Sequence, residues 1–250
     1  MEKKTNWCVA LPNGVISTNE IHVWRVNIDQ AVHAIDFLMG LLSEDELIRA
    51  SRFRFEQDRL RFMASRGLLR NLLGPYLDKE PQLISFRYNA FGKPFLANAP
   101  VKHQCEYAFN LSHSGEVVLF AITLNAQIGI DIELIRPSFD TGAVGKMFLA
   151  MEEITLLETS GEEMRSELFF RFWTRKEAFT KAMGKGLSFP LEQCDVSLID
   201  ESRFRPVMPE GFQYDGSTWY AMDLLARDGF ASAIAVNDPE KRISCFEYVI

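Results

Sequence analysis

Asp131 and Glu133 are the first residues whose spacing has a chemical consequence. They stand in Ile128-Gly129-Ile130-Asp131-Ile132-Glu133-Leu134. On a strand, alternate side chains share a face. Ile128, Ile130, Ile132 and Leu134 then point into a core, and the two carboxylates sit side by side on the other face. Adjacent carboxylates repel unless something positive lies between them. Mg²⁺ suits that place, because it takes hard oxygen ligands and keeps waters and phosphate oxygens in its shell. A half-exposed strand with an acidic outer face explains the same pattern without a metal.

A second cluster is Phe172-Trp173-Thr174-Arg175-Lys176-Glu177-Ala178-Phe179-Thr180-Lys181. On a helix Trp173, Glu177 and Lys181 share a face. Glu177 can serve as a third oxygen ligand and Lys181 as a phosphate contact; an ordinary surface Glu–Lys pair is the alternative. The aromatics Phe169, Phe170, Phe172, Trp173 and Phe179 read as core. In Asn110-Leu111-Ser112-His113-Ser114-Gly115, Ser112 and His113 fall at a strand end, either as ligand contacts or as part of a hairpin turn with an exposed imidazole. The absence of a G-x-S-x-G elbow argues against a hydrolase triad. Arginines 49, 52, 54, 59, 61, 66 and 70 crowd one region of an acidic chain. Their forks suit phosphate groups; a solvated basic face paired with Glu56 and Asp58 is the alternative. Lys93, in the turn Phe91-Gly92-Lys93-Pro94, is a further candidate. No phosphate-cradling glycine loop is present, so metal and basic side chains must hold any phosphate.

These residues need elements to position them. Residues 21–27 alternate as a strand. Ser43 with Glu46 forms a capping-box pattern. A long helix is expected over Asp58–Tyr76, ended or bent at Gly74-Pro75. Strands follow at Leu83–Arg87, Tyr107–Ser112, Glu116–Leu124 and Ile128–Ile135, with His113-Ser114-Gly115 as the hairpin turn. Ser160-Gly161-Glu162-Glu163 resembles a capping box before a second long helix, which stops at Gly184. Alternation returns at 194–200, 217–225 and 230–236. The pattern is α+β: two similar halves, residues 1–125 and 126–250, each a long helix packed on a small antiparallel sheet.

Composition bounds the rest. With 27 basic and 34 acidic residues among 250, the net charge is −7, which argues against general nucleic-acid binding. Four cysteines far apart in sequence exclude zinc-ribbon and C-x-x-C readings and suit a reducing cytosol. No segment approaches a membrane span or a signal peptide, so a cytoplasmic protein is expected.

In this order, the Arg-rich helix, F-G-K-P, N-L-S-H-S-G, I-G-I-D-I-E and F-W-T-R-K-E-A-F-T-K resemble the 4′-phosphopantetheinyl transferase superfamily, in its two-half, surfactin-synthetase-activating type. The resemblance covers roughly residues 43–190. It implies two α+β halves related by a pseudo-twofold, with coenzyme A between them. It also implies Mg²⁺-dependent transfer of the 4′-phosphopantetheine arm of coenzyme A to a serine of an apo acyl or peptidyl carrier protein, releasing adenosine 3′,5′-bisphosphate. By the same resemblance Asp131, Glu133 and Glu177 hold the metal, and Glu177 and Lys181 are catalytic. Arg49, Lys93, Ser112, His113, Asp131 and Lys181 then contact coenzyme A. A cleft completed within one chain implies a monomer. The competing readings are a metal-dependent coenzyme A pyrophosphatase or phosphodiesterase, and a non-catalytic protein that binds coenzyme A or a carrier.

Overall fold

A computed structural model describes residues 5–97, 105–186, 189–197, 206 and 218–250. The elements are β1 (Trp7–Val9), β2 (Glu20–Asn27), α1 (Ile28–Ala31), α2 (Ile35–Met39), α3 (Glu44–Ala50), α4 (Glu56–Leu77), β3 (Phe86–Tyr88), β4 (Pro94–Leu96), β5 (Tyr107–Ser114), β6 (Val117–Leu124) and β7 (Ile128–Leu134). Then follow α5 (Thr141–Phe148), α6 (Met151–Thr159), α7 (Glu162–Met183), β8 (Tyr220–Asp223), β9 (Phe230–Val236) and β10 (Arg242–Glu247). The class is mixed α+β, as the sequence pattern implies.

One sheet runs in the order β1-β10-β2-β6-β5, a second in the order β7-β9-β8, and β3 pairs β4 alone. The expectation of purely antiparallel sheets is corrected here. The second sheet is antiparallel, but in the first β10 lies parallel to both β1 and β2. The end of the chain returns to the sheet of its beginning, a long-range pairing that strand alternation cannot reveal. Each of the two larger sheets packs a long helix. The α4 residues Ala64, Leu68, Leu72 and Tyr76 bury against Trp24, Phe109, Phe120 and Ile122. The α7 residues Phe172, Ala178, Phe179 and Ala182 bury against Ala221, Ala233 and Ala235. The small alanines let the aromatic helix face approach the sheet closely.

Several boundaries differ from the sequence reading. Helix α4 does not stop at Gly74-Pro75 but continues to Leu77, ending at left-handed Asp78 (φ 51°). Burial of Tyr76 and Leu77 offsets the hydrogen bond lost at Pro75. Ser43 and Glu46 form the expected capping box, which starts the short α3 ahead of the long helix. Gly161, not Ser160, is the N-cap of α7, and no side chain caps it; Ser160 closes α6. The strand expected at Leu83–Arg87 begins only at Phe86, after a 3-10 turn. No strand forms over 194–197, and 198–200 and 217 lie outside the described residues. Helices α5 and α6 and strands β1 and β10 had no counterpart in the sequence reading.

Gly67 marks where α4 crosses α2. A Cβ placed there would lie 2.7 Å from Leu38 Cβ and from the Leu38 carbonyl oxygen. Gly67→Ala gains helix propensity of about 1 kcal/mol, yet the overlap costs about 1–3 kcal/mol. Net destabilisation is expected and is checked by the urea midpoint at unchanged m-value.

Candidate active site

The site begins with a glycine. Gly129, Asp131 and Glu133 occupy one face of β7, and α7 crosses directly over it. A Cβ on Gly129 would fall 2.0 Å from the Ala178 carbonyl oxygen and 2.4 Å from the Ala182 nitrogen. The missing side chain therefore lets backbone meet backbone. The next residue on that face, Asp131, comes under Lys181, one helical turn from Glu177. The face is not an acidic outer surface, since Asp131 is only 2% exposed. The opposite face buries Ile128, Ile130 and Ile132, while Leu134, expected in that core, is exposed at the strand end.

Lys181 Nζ reaches Asp131 Oδ1 at 2.6 Å and Ser112 Oγ at 2.9 Å. Ser112 Oγ donates to the same Asp131 oxygen at 2.7 Å. Asp131 Oδ2 is buried with no hydrogen-bond partner. Burial, then repulsion from Asp131, lifts the Glu177 carboxyl to about 7, although Lys181 opposes the rise. Burial, then Asp131, also raises Glu133, with the Ser114 hydroxyl and Lys181 opposing. Three carboxyl groups thus share one field. Among the described residues, no three His, Cys, Asp or Glu side chains converge as a ready-made metal cage. The donor set still fits a hard divalent cation: all three are carboxylates, one buried oxygen lacks a partner, and crowding disfavours the charge a cation would relieve.

Residues 26–125 match the N-terminal 4′-phosphopantetheinyl transferase family, and residues 127–235 match the 4′-phosphopantetheinyl transferase superfamily. Over 92% of its length the chain is 38% identical to the 4′-phosphopantetheinyl transferase HetI of Nostoc sp., spanning 93% of that relative. The chain belongs to the 4′-phosphopantetheinyl transferase superfamily. A 4′-phosphopantetheinyl transferase of Bacillus subtilis is 30% identical over 76% of this chain and 84% of its own. Sfp of the same species is 27% identical over 81% and 85%. The protein is an enzyme that transfers the 4′-phosphopantetheine arm of coenzyme A to a carrier protein.

In the transferase, β5 runs beside β7 without a backbone ladder. Side chains take its place. Asn110 Oδ1 accepts from Ile130 N at 2.8 Å, and Ser114 Oγ accepts from Leu134 N at 3.0 Å. Ser114 Oγ also donates to Glu133 at 3.0 Å. Asn110 and Ser114 were not singled out from the sequence, although the alternation Asn110, Ser112, Ser114 carries the signal: three short polar groups on one strand face. The hairpin turn is Gly115-Glu116, not His113-Ser114-Gly115; His113 pairs Val118 and Ser114 pairs Val117 on the ladder. His113 points the other way from Ser112 and keeps an open side to solvent. Desolvation of its inner side, then the charges of Lys181 and Arg61, lower its pKa.

The remaining candidates separate from this centre. Lys93 Nζ donates to the carbonyls of Ile128 and Ala182, both at 3.1 Å, and burial lowers its pKa to about 8. Arg49 lies over Phe62 and Tyr88 and lines a cavity of about 680 Å³ with Asp45, Ile48, Arg52 and Phe53. No contact joins Arg49 to the carboxylate cluster among the described residues. The arginine face divides. Arg59 pairs Glu56 as a solvated face requires, and Arg61 pairs Asp29. Arg70 is buried on Glu46 and on the carbonyls of Pro81 and Ile84, and Arg66 lies 3.4 Å from Glu46. Arg70 therefore closes a structural network rather than offering a free fork to phosphate.

Proposed function

We propose that the enzyme is of the two-half, surfactin-synthetase-activating type and works as an Mg²⁺-dependent monomer in the cytosol. In this reading, residues 1–125 and 126–250 are its halves, related by a pseudo-twofold. Coenzyme A lies between them, with its adenosine end toward Arg49, Ser112 and His113, while Lys93, bonded to the carbonyls of Ile128 and Ala182, supports the site rather than the nucleotide. Two family matches in tandem support the two-half reading. Four free cysteines suit a reducing compartment. Among the described residues no helix is long and apolar enough to cross a membrane.

Asp131, Glu133 and Glu177 would hold the metal, which when bound neutralises the pyrophosphate and polarises the phosphorus under attack. The protein's own groups do the rest. A carrier serine has an alcohol pKa far above neutrality and needs a base. Glu177 takes the hydroxyl proton as the serine oxygen bonds to the phosphorus. The bond to adenosine 3′,5′-bisphosphate then breaks. Lys181 stabilises charge on the transferring phosphoryl group or the leaving bisphosphate. Ser112 orients both Lys181 and Asp131. An acidic helical carrier is received by basic or apolar surface beside the site.

The observation that carries this reading is the convergence of Ser112, Asp131 and Lys181 from β5, β7 and α7, with Glu133 and Glu177 in the same field. Intact-mass analysis of an apo carrier incubated with coenzyme A and Mg²⁺ tests it. A phosphopantetheine adduct on the serine, lost when EDTA is added, is expected. Full modification in EDTA would refute the metal requirement. Cleavage of coenzyme A without an adduct would indicate a hydrolase.

A further inference from the structure

Helix α7 ends in carbonyls that its own turns cannot satisfy. The chain beyond it takes two of them: Gly184 N donates to the Lys181 carbonyl at 3.2 Å and Lys185 N to the Thr180 carbonyl at 3.3 Å. The next two come from the hairpin turn between β3 and β4, nearly a hundred residues earlier. Lys93 Nζ donates to the Ala182 carbonyl, and Asn89 Nδ2 donates to the Gly184 carbonyl at 2.8 Å. The same Lys93 ammonium holds the carbonyl of Ile128, the first residue of β7. One turn thus grips the end of α7 and the start of β7 together.

Asn89 keeps that turn in shape. Its Oδ1 accepts from Phe91 N at 2.9 Å and Lys93 N at 3.0 Å. Its backbone closes the loop, with Asn89 N donating to the Lys93 carbonyl at 3.1 Å and Gly92 N to the Asn89 carbonyl at 3.0 Å. The amide meets all three side-chain bonds at once, its oxygen accepting two while its nitrogen, on the other side of the same plane, donates the third. A cation against a helix C-terminus is favoured as well.

We infer that Asn89 is a positioning residue: through Lys93 and the Gly184 carbonyl it fixes the register of α7 against β7, and so the approach of Glu177 and Lys181 to Asp131 and Glu133. The inference rests on the proposed roles of those four residues. A lost anchor at the helix end lets α7 slide along β7, and displacement on the order of 1 Å at a reacting centre costs up to about a hundredfold in rate.

Asn89→Asp retains the acceptor and removes the donor to Gly184. Its kcat per folded molecule is expected to fall about tenfold or more, with the carrier KM within about twofold of the parent. Amide hydrogen exchange in Phe179–Met183 should quicken, with that of β6 unchanged. A merely structural role would lower the melting temperature and leave kcat per folded molecule alone. Parental kcat, a loss confined to KM, or unchanged exchange at the end of α7 would each overturn the inference. Asn89→Ala, which lacks the donor to Gly184 altogether, is subject to the same criteria and serves if the aspartate variant does not fold. Glu177→Gln in the same assay separates the two ideas. If it retains transfer, the assigned roles fail, whereas the exchange result still reads the anchor by itself.

Discussion

In Glu177→Gln, phosphopantetheine transfer is expected to fall about 10³-fold with the circular dichroism spectrum of the parent, the scale typical of losing a general base. Glutamine fills the same volume and keeps an oxygen, but it cannot take the serine proton and is a poor ligand for a hard cation. The same substitution has an opposite effect on stability. In the metal-free protein, burial and Asp131 hold the Glu177 carboxyl at about 7, against about 4.5 when exposed. An acid whose pKa is higher folded than unfolded costs stability as it ionises. The cost is absent below about 4.5 and complete above about 7. Its size is on the order of 3 kcal/mol. In EDTA, the variant should therefore melt with the parent at pH 4 and above it at pH 8. Undiminished transfer would refute the catalytic role. Equal melting temperatures at pH 8 would contradict the crowding of the three carboxylates. A function that holds its site in a strained state follows the usual trade of stability against activity.

Gly129→Ala is expected to destabilise the protein strongly at the contact between α7 and β7. The added Cβ would stand 2.0 Å from the Ala178 carbonyl oxygen and 2.4 Å from the Ala182 nitrogen. Both are backbone atoms of α7, so no side chain can swing aside, and the helix must lift from β7. Overpacking of this kind costs about 3 kcal/mol or more. Lifting α7 also separates Lys181 from Asp131, so the fraction that folds should transfer about 10²-fold more slowly. Gly161→Ala is the control, since nothing lies within 4 Å of a Cβ there. A drop in melting temperature for Gly129→Ala no greater than for Gly161→Ala would show that α7 does not bear on β7 as described.

The placement of the residues proposed for the chemistry was legible because local periodicity sets it. Alternation put Asp131 and Glu133 on one strand face, and helical spacing put Glu177 above Lys181. The two long helices were legible for the same reason, from their apolar faces, and Gly184 ends α7 in the left-handed conformation its residue type allows (φ 68°). Short elements were not. Helices α5 and α6 and the three-residue β1 carry too few turns or alternations to outweigh noise, and tertiary packing stabilises them. Ser114 reads as a turn residue by type, yet Gly115 at φ 54° moves the turn one step on and leaves Ser114 on the ladder, facing Glu133.

By its sequence alone the protein determined its family and the groups proposed for its chemistry, because residue type and short-range spacing are properties of the chain itself. Only the tertiary structure decided what those groups meet. It set β10 beside β2, turned Arg70 inward to Glu46, spent Lys93 and Asn89 on the end of α7, and replaced a β5–β7 ladder with Asn110, Ser112 and Ser114. These contacts join residues from about 20 to more than 200 positions apart. Such pairings are fixed by the burial of shared surface and by the need to satisfy every buried donor and acceptor, which no local pattern encodes.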